Sequence, residues 1–322
     1  DNYASSYSHC DILIVGAGPA GLAAALAAGK KGEDVILVDE QAALGGSLLS
    51  TPNIEIEGST ASEWLVKSLK ALAKMDNVRL MPRTTAIGYW HDNFVALNER
   101  LTDHLPNMAV GPVREELHRI RAGKVILAQG GIERPLVFNG NDLPGVMLAS
   151  AAQTFINKYG VAVGNSVAVF TSHDSAYHAA FDLADANIRI PVIIDVRDDV
   201  KADLLEAAKT RGIDVITGSA VSETSGKQRI SSLEVFTPSS GAKTKITCDA
   251  LIMCGGWTPS LHLWSHSKGG IKWSPELSAY VPDVANENCV CVGASNGDFG
   301  VAAALTAGNK AGGGRKGFTS DE

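Results

Sequence analysis

The stretch ILIVGAGPAGLAAALAAG, residues 12–29, decides the fold of this chain. Ile12–Val15 is a continuous apolar run, which is typical of a strand buried on both faces of a parallel sheet. A glycine-rich turn and an alanine-rich helix that ends near Lys31 follow it. The stretch carries no charge over about the length of a membrane span. Four glycines and a proline within it favour a strand–turn–helix instead.

The glycines of this turn have the spacing G-x-G-x-x-G, at Gly16, Gly18 and Gly21. In a dinucleotide-binding unit the first permits a tight turn and the second lets the backbone approach a pyrophosphate. The third lets the helix pack on the strand. The free N–H groups at the start of the helix add partial positive charge for the phosphates. The spacing and its context therefore predict a dinucleotide site.

Acidic residues follow the next strand at the distance where such a site binds ribose. Val35–Val38 is apolar and ends at Asp39-Glu40, and an acid there accepts hydrogen bonds from the ribose hydroxyls. Two acids also repel a 2′-phosphate, so the pattern favours NAD or FAD over NADP. Gly45-Gly46 comes next, a pair that recurs in flavoprotein disulfide reductases, where the loop passes over the dinucleotide.

Two further segments complete the first predicted sheet. Val78–Met81 reads as its third strand, and the segment after it passes the adenine in this architecture, which makes the backbone of Ala86 an adenine contact. Lys124–Ala128 returns to the sheet and ends at Gln129-Gly130-Gly131. This end is similar to the A-T-G segment of two-dinucleotide flavoproteins, with Gln in place of Thr. His91 falls in a predicted hairpin turn and is interpreted as a turn residue rather than a ligand or base.

A second α/β unit, about residues 138–249, has the outline of a nucleotide-binding unit without its glycines. Its turn, Thr171–Ser175, carries Cβ atoms that block the close approach of a pyrophosphate. Asp174 would repel phosphate. Its side chain is interpreted as a helix N-cap, with an acid/base pair of His173 and Asp174 as the alternative. The sequence thus predicts a scaffold whose site is lost, in a chain that cannot by itself pass a hydride from NADH to FAD.

The last part of the chain is expected to return to the first domain. Ala250–Cys254 and Asn288–Val292 are apolar runs followed by glycine. Related flavoproteins have Gly-Asp after the second run, and the Asp binds the flavin ribityl chain. Here Ala294 and Ser295 stand there, and Asp298 is displaced by several residues, which disfavours FAD.

We predict an α/β fold of two Rossmann-like lobes, of the two-dinucleotide-binding flavoprotein (glutathione-reductase-like) type, with the second lobe inserted in the first. The predicted parts are a dinucleotide-binding domain of residues 10–137 plus 250–312, an inserted degenerate nucleotide-binding-like domain of residues 138–249, and linkers at 1–9 and 313–322.

Composition argues against several classes of protein. The 322 residues carry a net charge of −7 with a pI near 5.6, which disfavours a nucleic-acid surface. The five cysteines form no C-x-x-C pair and no zinc spacing, so reduced thiols in a cytoplasmic protein are expected and no metal site is predicted. No signal peptide or membrane span is predicted. The lack of an initiator Met and the linker-like ends suggest a piece of a longer polypeptide.

Several stretches together resemble the dinucleotide-binding region of the alpha subunit of heterotetrameric sarcosine oxidase. They are DILIVGAGPAGLAAA, VILVDEQAALGGSLL, TTAIGYW, ERLTDHL, TSHDSAY, GASNGDFGVAAAL and IERPLVFNGNDLPGVMLASAAQTFINKYGV. The last is long and much more specific than the glycine spacing. The resemblance covers about residues 10–312. Alpha-type subunits of opine oxidase, hydrogen-cyanide synthase and proline dehydrogenase share parts of it.

The resemblance implies that the first site holds NAD rather than FAD. It also implies a beta subunit that carries FAD and oxidises a secondary amine, FMN near the boundary of the two subunits, and the smaller subunits of a heterotetramer. It assigns no catalytic residue to this chain, and the folate-binding and β-grasp domains of the complete subunit do not fall within this sequence. The residues that it carries over are Gly18 and Ala20 at the pyrophosphate, Ser47 on the phosphates, Asp39, Glu40 and Gln41 around the adenosine ribose, Ala86 at the adenine, and Ala294 and Phe299 near the nicotinamide half.

Two other functions stay open at this point. One is a self-sufficient FAD-dependent NAD(P)H oxidoreductase, and the other is an interaction scaffold whose glycine site is vestigial. A yellow protein that releases flavin would favour the former over an NAD-holding subunit. A colourless protein that releases NAD would exclude both.

Overall fold

The structure is a computed structural model that describes residues 2–105 and 113–321. The helices in these ranges are α1 (Pro19–Lys30), α2 (Ala61–Leu72), α3 (Ala149–Tyr159), α4 (Ser175–Asp185), α5 (Ala202–Thr210), α6 (His262–His266) and α7 (Val301–Ala311). Short 3-10 turns span Gly46–Leu49 and Gly293–Asn296. Within the two described ranges, no helix combines the length and the apolar character needed to cross a membrane.

The strands fall into an earlier and a later group along the chain. The earlier group is β1 (Asn2–Val15), β2 (Val35–Val38), β3 (Glu55–Ile56), β4 (Ser59–Thr60), β5 (Val78–Met81), β6 (Thr84–Trp90), β7 (Phe94–Arg100), β8 (Val113–Leu127), β9 (Gly131–Glu133) and β10 (Val146–Leu148). The later group is β11 (Val167–Thr171), β12 (Val192–Asp195), β13 (Asp214–Ile216), β14 (Ala220–Gly226), β15 (Ile230–Thr237), β16 (Ala242–Thr247), β17 (Ala250–Cys254), β18 (Trp257–Pro259), β19 (Ile271–Ser274), β20 (Ala279–Pro282) and β21 (Cys289–Cys291).

The chain divides into two compact units, the first made of Asp1–Ile132 and Thr258–Glu322 and the second of Glu133–Trp257. The first unit contains a sheet of order β5-β2-β1-β8-β7-β6, with β21 beside β8. Alternate residues of β1 supply two cores: Ile12 and Ile14 pack in the cluster of α1, α2 and α7, while Leu13 and Val15 pack in a cluster on the other face. The uniformly apolar run of β1 is therefore explained by burial on both faces.

The second unit contains a parallel sheet of order β10-β17-β11-β12-β13 and an antiparallel sheet of order β14-β15-β16. Strand β17 pairs in parallel with both β10 and β11. The expectation that Ala250–Cys254 joins the first domain is therefore wrong, and the second unit extends beyond the predicted boundaries of 138 and 249 at both ends. An apolar run that is buried on both faces fits either sheet equally well, so the sequence of this strand did not indicate its neighbours.

The described parts of both predicted linkers belong to the first unit. Asn2–Cys10 is the first part of β1 and pairs with β8, so the linker assignment of residues 1–9 is wrong from Asn2 onward. Near the other end, Phe318 packs against the first core and the Glu55 N–H donates to Asp321 Oδ1 (2.6 Å). Both errors concern partners far away in the sequence, which a polar local pattern does not reveal. Asp1 and Glu322, the outermost linker positions, lie outside the described residues.

Candidate functional site

Two glycines of the first turn are required by the protein's own packing. Gly16 has φ +101°, and a Cβ at this position would lie 2.2 Å from the Ala128 carbonyl oxygen. A Cβ at Gly21 would lie 1.8 Å from the Gly16 carbonyl oxygen. Any side chain at either position would therefore displace backbone. These contacts bring the start of α1 close to the turn and to the end of β8.

Gly18 differs, because no contact among the described residues requires a glycine there. Its φ of −73° suits any residue, and the nearest atom to an added Cβ would be Gly46 Cα at 3.9 Å, an ordinary contact. Gly46 has φ +54°, and a Cβ on it would lie 2.7 Å from Gly18 Cα, so the loop that carries Ser47 crosses close to the turn. A Cβ at Gly18 would fill only the space beside the turn. The geometry therefore fits a pyrophosphate that lies against this backbone.

The start of α1 is electrostatically suited to the same group. Gly18 occupies the N-cap without a side-chain hydrogen bond, Pro19 begins the helix, and the first turn has no acidic side chain. The partial positive charge of the helix N-terminus is thus not offset by a local carboxylate. Ala20 is 5% exposed, and a Cβ on Gly293 would lie 3.1 Å from its Cβ. This places the 3-10 turn before α7 beside the start of α1.

The predicted ribose acid also holds the turn in place. Asp39 Oδ2 accepts the Ala17 N–H and Asp39 Oδ1 accepts the Gln41 N–H, both at 2.8 Å. A carboxylate oxygen has more than one lone pair, so these bonds leave capacity for ribose hydroxyls. Glu40 is exposed, and its carbonyl oxygen accepts a hydrogen bond from Arg100 (2.7 Å).

Two guanidinium groups lie near this loop, and the sequence reading missed both. Arg83 donates its backbone N–H to the Gln41 carbonyl oxygen (2.9 Å). The side chains of Arg83 and Arg100 both pair with Asp103, at 3.0 and 3.2 Å. Asp103 therefore already neutralises part of their charge. Discrimination against a 2′-phosphate would then rest on Asp39 and Glu40.

The remaining predicted residues fall into two places. Ala86 lies in β6, two residues after Thr84, whose N–H donates to the Asp39 carbonyl oxygen (2.8 Å). At the opposite side, a Cβ on Gly131 would lie 3.2 Å from the Phe299 ring and 3.6 Å from Ala294 Cβ. Gly130 precedes this group with φ +75° and open space at its Cβ position. The structure thus brings Gly131, Ala294 and Phe299 together.

The acid that would bind a flavin ribityl chain is not found at the predicted position. Ser295 is buried, and its hydroxyl donates its proton toward two acceptors, the carbonyl oxygens of Leu127 and Val292, each at 2.9 Å. The carboxylate of Asp298 accepts a hydrogen bond from Asn296 (3.0 Å). Neither residue supplies the carboxylate that follows the corresponding strand in related flavoproteins.

The turn of the second unit is closed by its own side chains. The Thr171 hydroxyl accepts the His173 N–H (2.9 Å), and His173 Nδ1 accepts the Ser175 N–H (3.2 Å). The Ser172 N–H donates to the Cys254 carbonyl oxygen (3.0 Å). These backbone donors are the groups that would face a phosphate. Burial, together with nearby cations, lowers the pKa of His173, which suits a neutral ring that accepts at Nδ1.

Asp174 is not a side-chain N-cap, so that interpretation is wrong. Its backbone is helical and its side chain makes no cap hydrogen bond; it pairs instead with Arg197 (2.7 Å) and Lys201 (3.0 Å). Burial alone would raise the pKa of Asp174, but the hydrogen bonds from these two cations outweigh it and hold the pKa below its usual value. The Asp174 carboxylate thus pairs with two cations and does not accept the N–H groups at the start of α4. Within the described residues, no hydrogen bond joins the side chains of His173 and Asp174, so the structure does not support the alternative of an acid/base pair.

The acid at the end of β12 is equally occupied. Asp195 is fully buried, accepts a hydrogen bond from the Tyr177 hydroxyl (3.0 Å) and is held by Arg197 through two bonds (3.0 and 2.8 Å). Arg197 therefore links Asp195 to Asp174 across the turn, and its hydrogen bonds to these carboxylates raise its pKa. Asp195 occupies the position in β12 that Asp39 occupies after β2. Side chains of the second unit therefore occupy the hydrogen-bonding positions of the Asp195 carboxylate.

In the part of the chain that the structure describes, one cluster has metal-ligating residue types: Glu99, Glu116 and His118. Nε2 of His118 lies 2.7 Å from Glu99, and Nδ1 lies 2.9 Å from the Ser6 hydroxyl. Glu116 lies on the Nδ1 side at 3.7 Å. Because the two carboxylates face different ring nitrogens, hydrogen bonding across β1, β8 and β7 accounts for this arrangement.

The chain matches the family model of pyridine nucleotide-disulphide oxidoreductases over residues 10–284. It is 40% identical over 306 residues to the sarcosine oxidase subunit alpha of Rhizobium meliloti (strain 1021), and 39% identical over 313 residues to that of Corynebacterium sp. (strain P-1). Each match covers 95% of this chain but only 30% and 32% of the relatives. The chain thus spans about a third of the length of these relatives, and the resemblance to the alpha subunit region is confirmed.

Among solved structures, the thioredoxin reductase of Lactococcus lactis superposes with a TM-score of 0.72 at 20% identity. The match covers 94% of this chain and 97% of that chain. At this identity the likeness concerns the fold alone, and it confirms the two-dinucleotide-binding flavoprotein architecture. Because the family model matches residues 10–284, most of this chain, the chain belongs to the pyridine nucleotide-disulphide oxidoreductase family.

Proposed function

We propose that this chain is the NAD-binding portion of the alpha subunit of a multi-subunit sarcosine oxidase. NAD lies along the first turn, with its pyrophosphate at Gly18, Ala20 and Ser47 and its adenosine ribose at Asp39, Glu40 and Gln41. The adenine lies near Ala86, and the nicotinamide half lies near Gly130, Ala294 and Phe299. The similarity to sarcosine oxidase alpha subunits supports the choice of assembly.

The observation that carries the proposal is the contrast between the two turns. Gly18 leaves the backbone of the first turn accessible, although packing does not require a glycine there. In the turn at Thr171–Ser175, by contrast, side chains of the turn accept the backbone N–H groups. A hydride relay between two dinucleotides needs both sites. With one site closed, a bound NAD has no second dinucleotide on this chain with which to exchange a hydride, so we infer that NAD is held without turnover.

Oxidation of the secondary amine, with oxygen as acceptor, then belongs to a flavin-bearing beta subunit. FMN lies at its interface with this subunit, and smaller subunits complete a cytoplasmic heterotetramer. The isolated chain would be inactive, and we assign it no catalytic residue. Five buried free cysteines support a reducing compartment.

The second candidate is a self-sufficient FAD-dependent NAD(P)H oxidoreductase. The match to the family model of pyridine nucleotide-disulphide oxidoreductases over residues 10–284 favours it. The positions of Ser295 and Asp298 weigh against it, because neither offers a carboxylate to a ribityl chain. The closed second turn also leaves no place in that unit for a pyrophosphate.

Analysis of the nucleotide released from the purified protein tests the proposal. We expect a colourless protein that releases NAD on denaturation, identified by mass spectrometry, and a Gly18→Val variant that releases none. Stoichiometric flavin released from this chain alone, with the matching visible absorption, would reject the proposal in favour of the second candidate. A folded protein that neither retains nor rebinds any dinucleotide would instead indicate the vestigial-site scaffold.

A further inference from the structure

Gln129 lies between the two ends of the proposed site. It lies two residues after the end of β8, and a Cβ on Gly16 would lie 3.3 Å from its backbone nitrogen, which places it against the first glycine turn. Two residues later, Gly131 contacts the group formed by Ala294 and Phe299. The Gly130 carbonyl oxygen accepts the Ser260 N–H (3.1 Å), which fixes the backbone between these places.

The side chain of Gln129 carries a polar atom whose hydrogen bonding is incomplete. Its Oε1 is buried and has no hydrogen-bond partner among residues 2–105 and 113–321. Buried carbonyl oxygens in proteins are nearly always paired, so such an atom calls for a partner that the protein itself does not supply. An amide oxygen accepts hydrogen bonds and does not donate them. The partner must therefore carry an N–H or an O–H group.

Two groups in the distal half of NAD carry such donors, the hydroxyls of the ribose and the N–H groups of the nicotinamide carboxamide. The pyrophosphate, placed at Gly18, carries no proton at neutral pH and cannot donate. The next group along the molecule is the distal ribose, which carries two hydroxyl donors, and the nicotinamide beyond it belongs with Ala294 and Phe299. We propose that Gln129 Oε1 accepts a hydrogen bond from a hydroxyl of the distal ribose and so selects ligands that possess this sugar.

This inference rests on the proposed function, because it assumes a dinucleotide at the first turn. It goes further by assigning a specificity role to a residue where the A-T-G segment of similar flavoproteins has threonine. A threonine side chain is shorter and its hydroxyl donates as well as accepts. Glutamine therefore reaches farther from the strand end and offers a pure acceptor at its oxygen.

Calorimetric titration of nucleotide-free protein with ADP, ADP-ribose and NAD tests the assignment, because ADP has the pyrophosphate but lacks the distal ribose. Loss of one hydrogen bond predicts that Gln129→Leu weakens ADP-ribose and NAD binding by about 5- to 30-fold and changes ADP binding less than about twofold. Gln129→Glu keeps the acceptor oxygens. Any charge repulsion in this variant acts on the pyrophosphate of all three ligands, so the ratio of ADP-ribose to ADP affinity should stay close to that of the wild type.

A matched control is Gln153→Leu, which removes another glutamine amide, one that donates to Asp182 in the second unit (2.8 Å). It should leave all three affinities unchanged. A Gln129→Leu protein that binds NAD with an unchanged ADP-ribose to ADP ratio would overturn the role of Gln129 while leaving the proposed function intact. Wild-type protein that binds neither ADP-ribose nor NAD would overturn the proposed function and the role of Gln129 together.

Discussion

Substitution of Gly18 should remove nucleotide binding while preserving the fold. Among residues 2–105 and 113–321, an added Cβ meets only Gly46 Cα, at 3.9 Å, and the φ of −73° is open to any residue. The cost to stability is then about 1 kcal/mol or less, the scale of changing an N-cap glycine to alanine. In a unit of this size that corresponds to a fall in Tm of about 2–4 °C.

The effect on binding should be far larger. A side chain in this space keeps the pyrophosphate from the backbone and from the start of α1. If two hydrogen bonds to the charged phosphates are lost, each worth about 1.5–3 kcal/mol, the total is about 3–6 kcal/mol. Affinity for NAD would then fall by at least ~100-fold. Gly18→Val should show the full loss, and Gly18→Ala should show most of it.

Gly21→Ala provides the contrasting control. Its Cβ would lie 1.8 Å from the Gly16 carbonyl oxygen, so backbone must move. Such overpacking costs about 1–3 kcal/mol, and more where the backbone resists. Thermal unfolding and calorimetric titration with NAD measure both quantities on the same samples. A folded Gly18→Val protein that binds NAD within tenfold of the wild type would refute the placement of the pyrophosphate.

Three other outcomes are expected. Wild-type protein should bind NAD at least ~100-fold more tightly than NADP if the 2′-phosphate costs about 3 kcal/mol of binding free energy at Asp39 and Glu40. Glu40→Arg should narrow the ratio of the two affinities, because a guanidinium pairs with phosphate. Titrations of the wild type that give equal affinities would contradict the placement of the ribose. The folded-state pKa of Asp174 is lowered, so its contribution to stability is present at neutral pH and is lost as the pH falls below its ordinary value near 3.8. Arg197→Met should reduce that acid-dependent loss, because Lys201 still pairs with Asp174, and should destabilise the second unit at pH 7. Identical acid-unfolding curves for wild type and variant would exclude the coupling. Thr60→Ala should cost about 1 kcal/mol in chemical denaturation, because Thr60 and Glu63 form a capping box at α2; an unchanged midpoint would contradict it.

The sequence predicted the structure of the first unit best in segments whose own residue types show how they are buried. The apolar runs of β1, β2 and β5 and the glycine turn are such segments, because burial on both faces and backbone crowding leave direct marks on residue type. Strand β17 and residues Asn2–Cys10 left no such mark, since their positions depend on partners far along the chain. The same limit explains both wrong linker assignments.

The site shows a similar division. Asp39 follows its strand at a spacing that identifies it, and the structure shows it beside the turn. The pairing of Asp174 with Arg197 was not visible, because an acid before a helix has the same sequence pattern whether it caps the helix or pairs with a cation 23 residues away. Gln129 was noticed only as a departure from A-T-G, and its incomplete hydrogen bonding is a property of three-dimensional packing.

The hydrogen bonds that fill the turn of the second unit make it difficult for substitutions to open this turn. Placing glycines at Thr171–Ser175 would remove obstructing side chains, but it would also delete the Thr171 and His173 acceptors and leave Asp195 enclosed by Tyr177 and Arg197. No single replacement frees the backbone donors and the ribose acid at once. Several substitutions together would be needed to open this turn, and each intermediate would lose hydrogen bonds of the network. The network therefore disfavours any single substitution that would open this turn to a nucleotide.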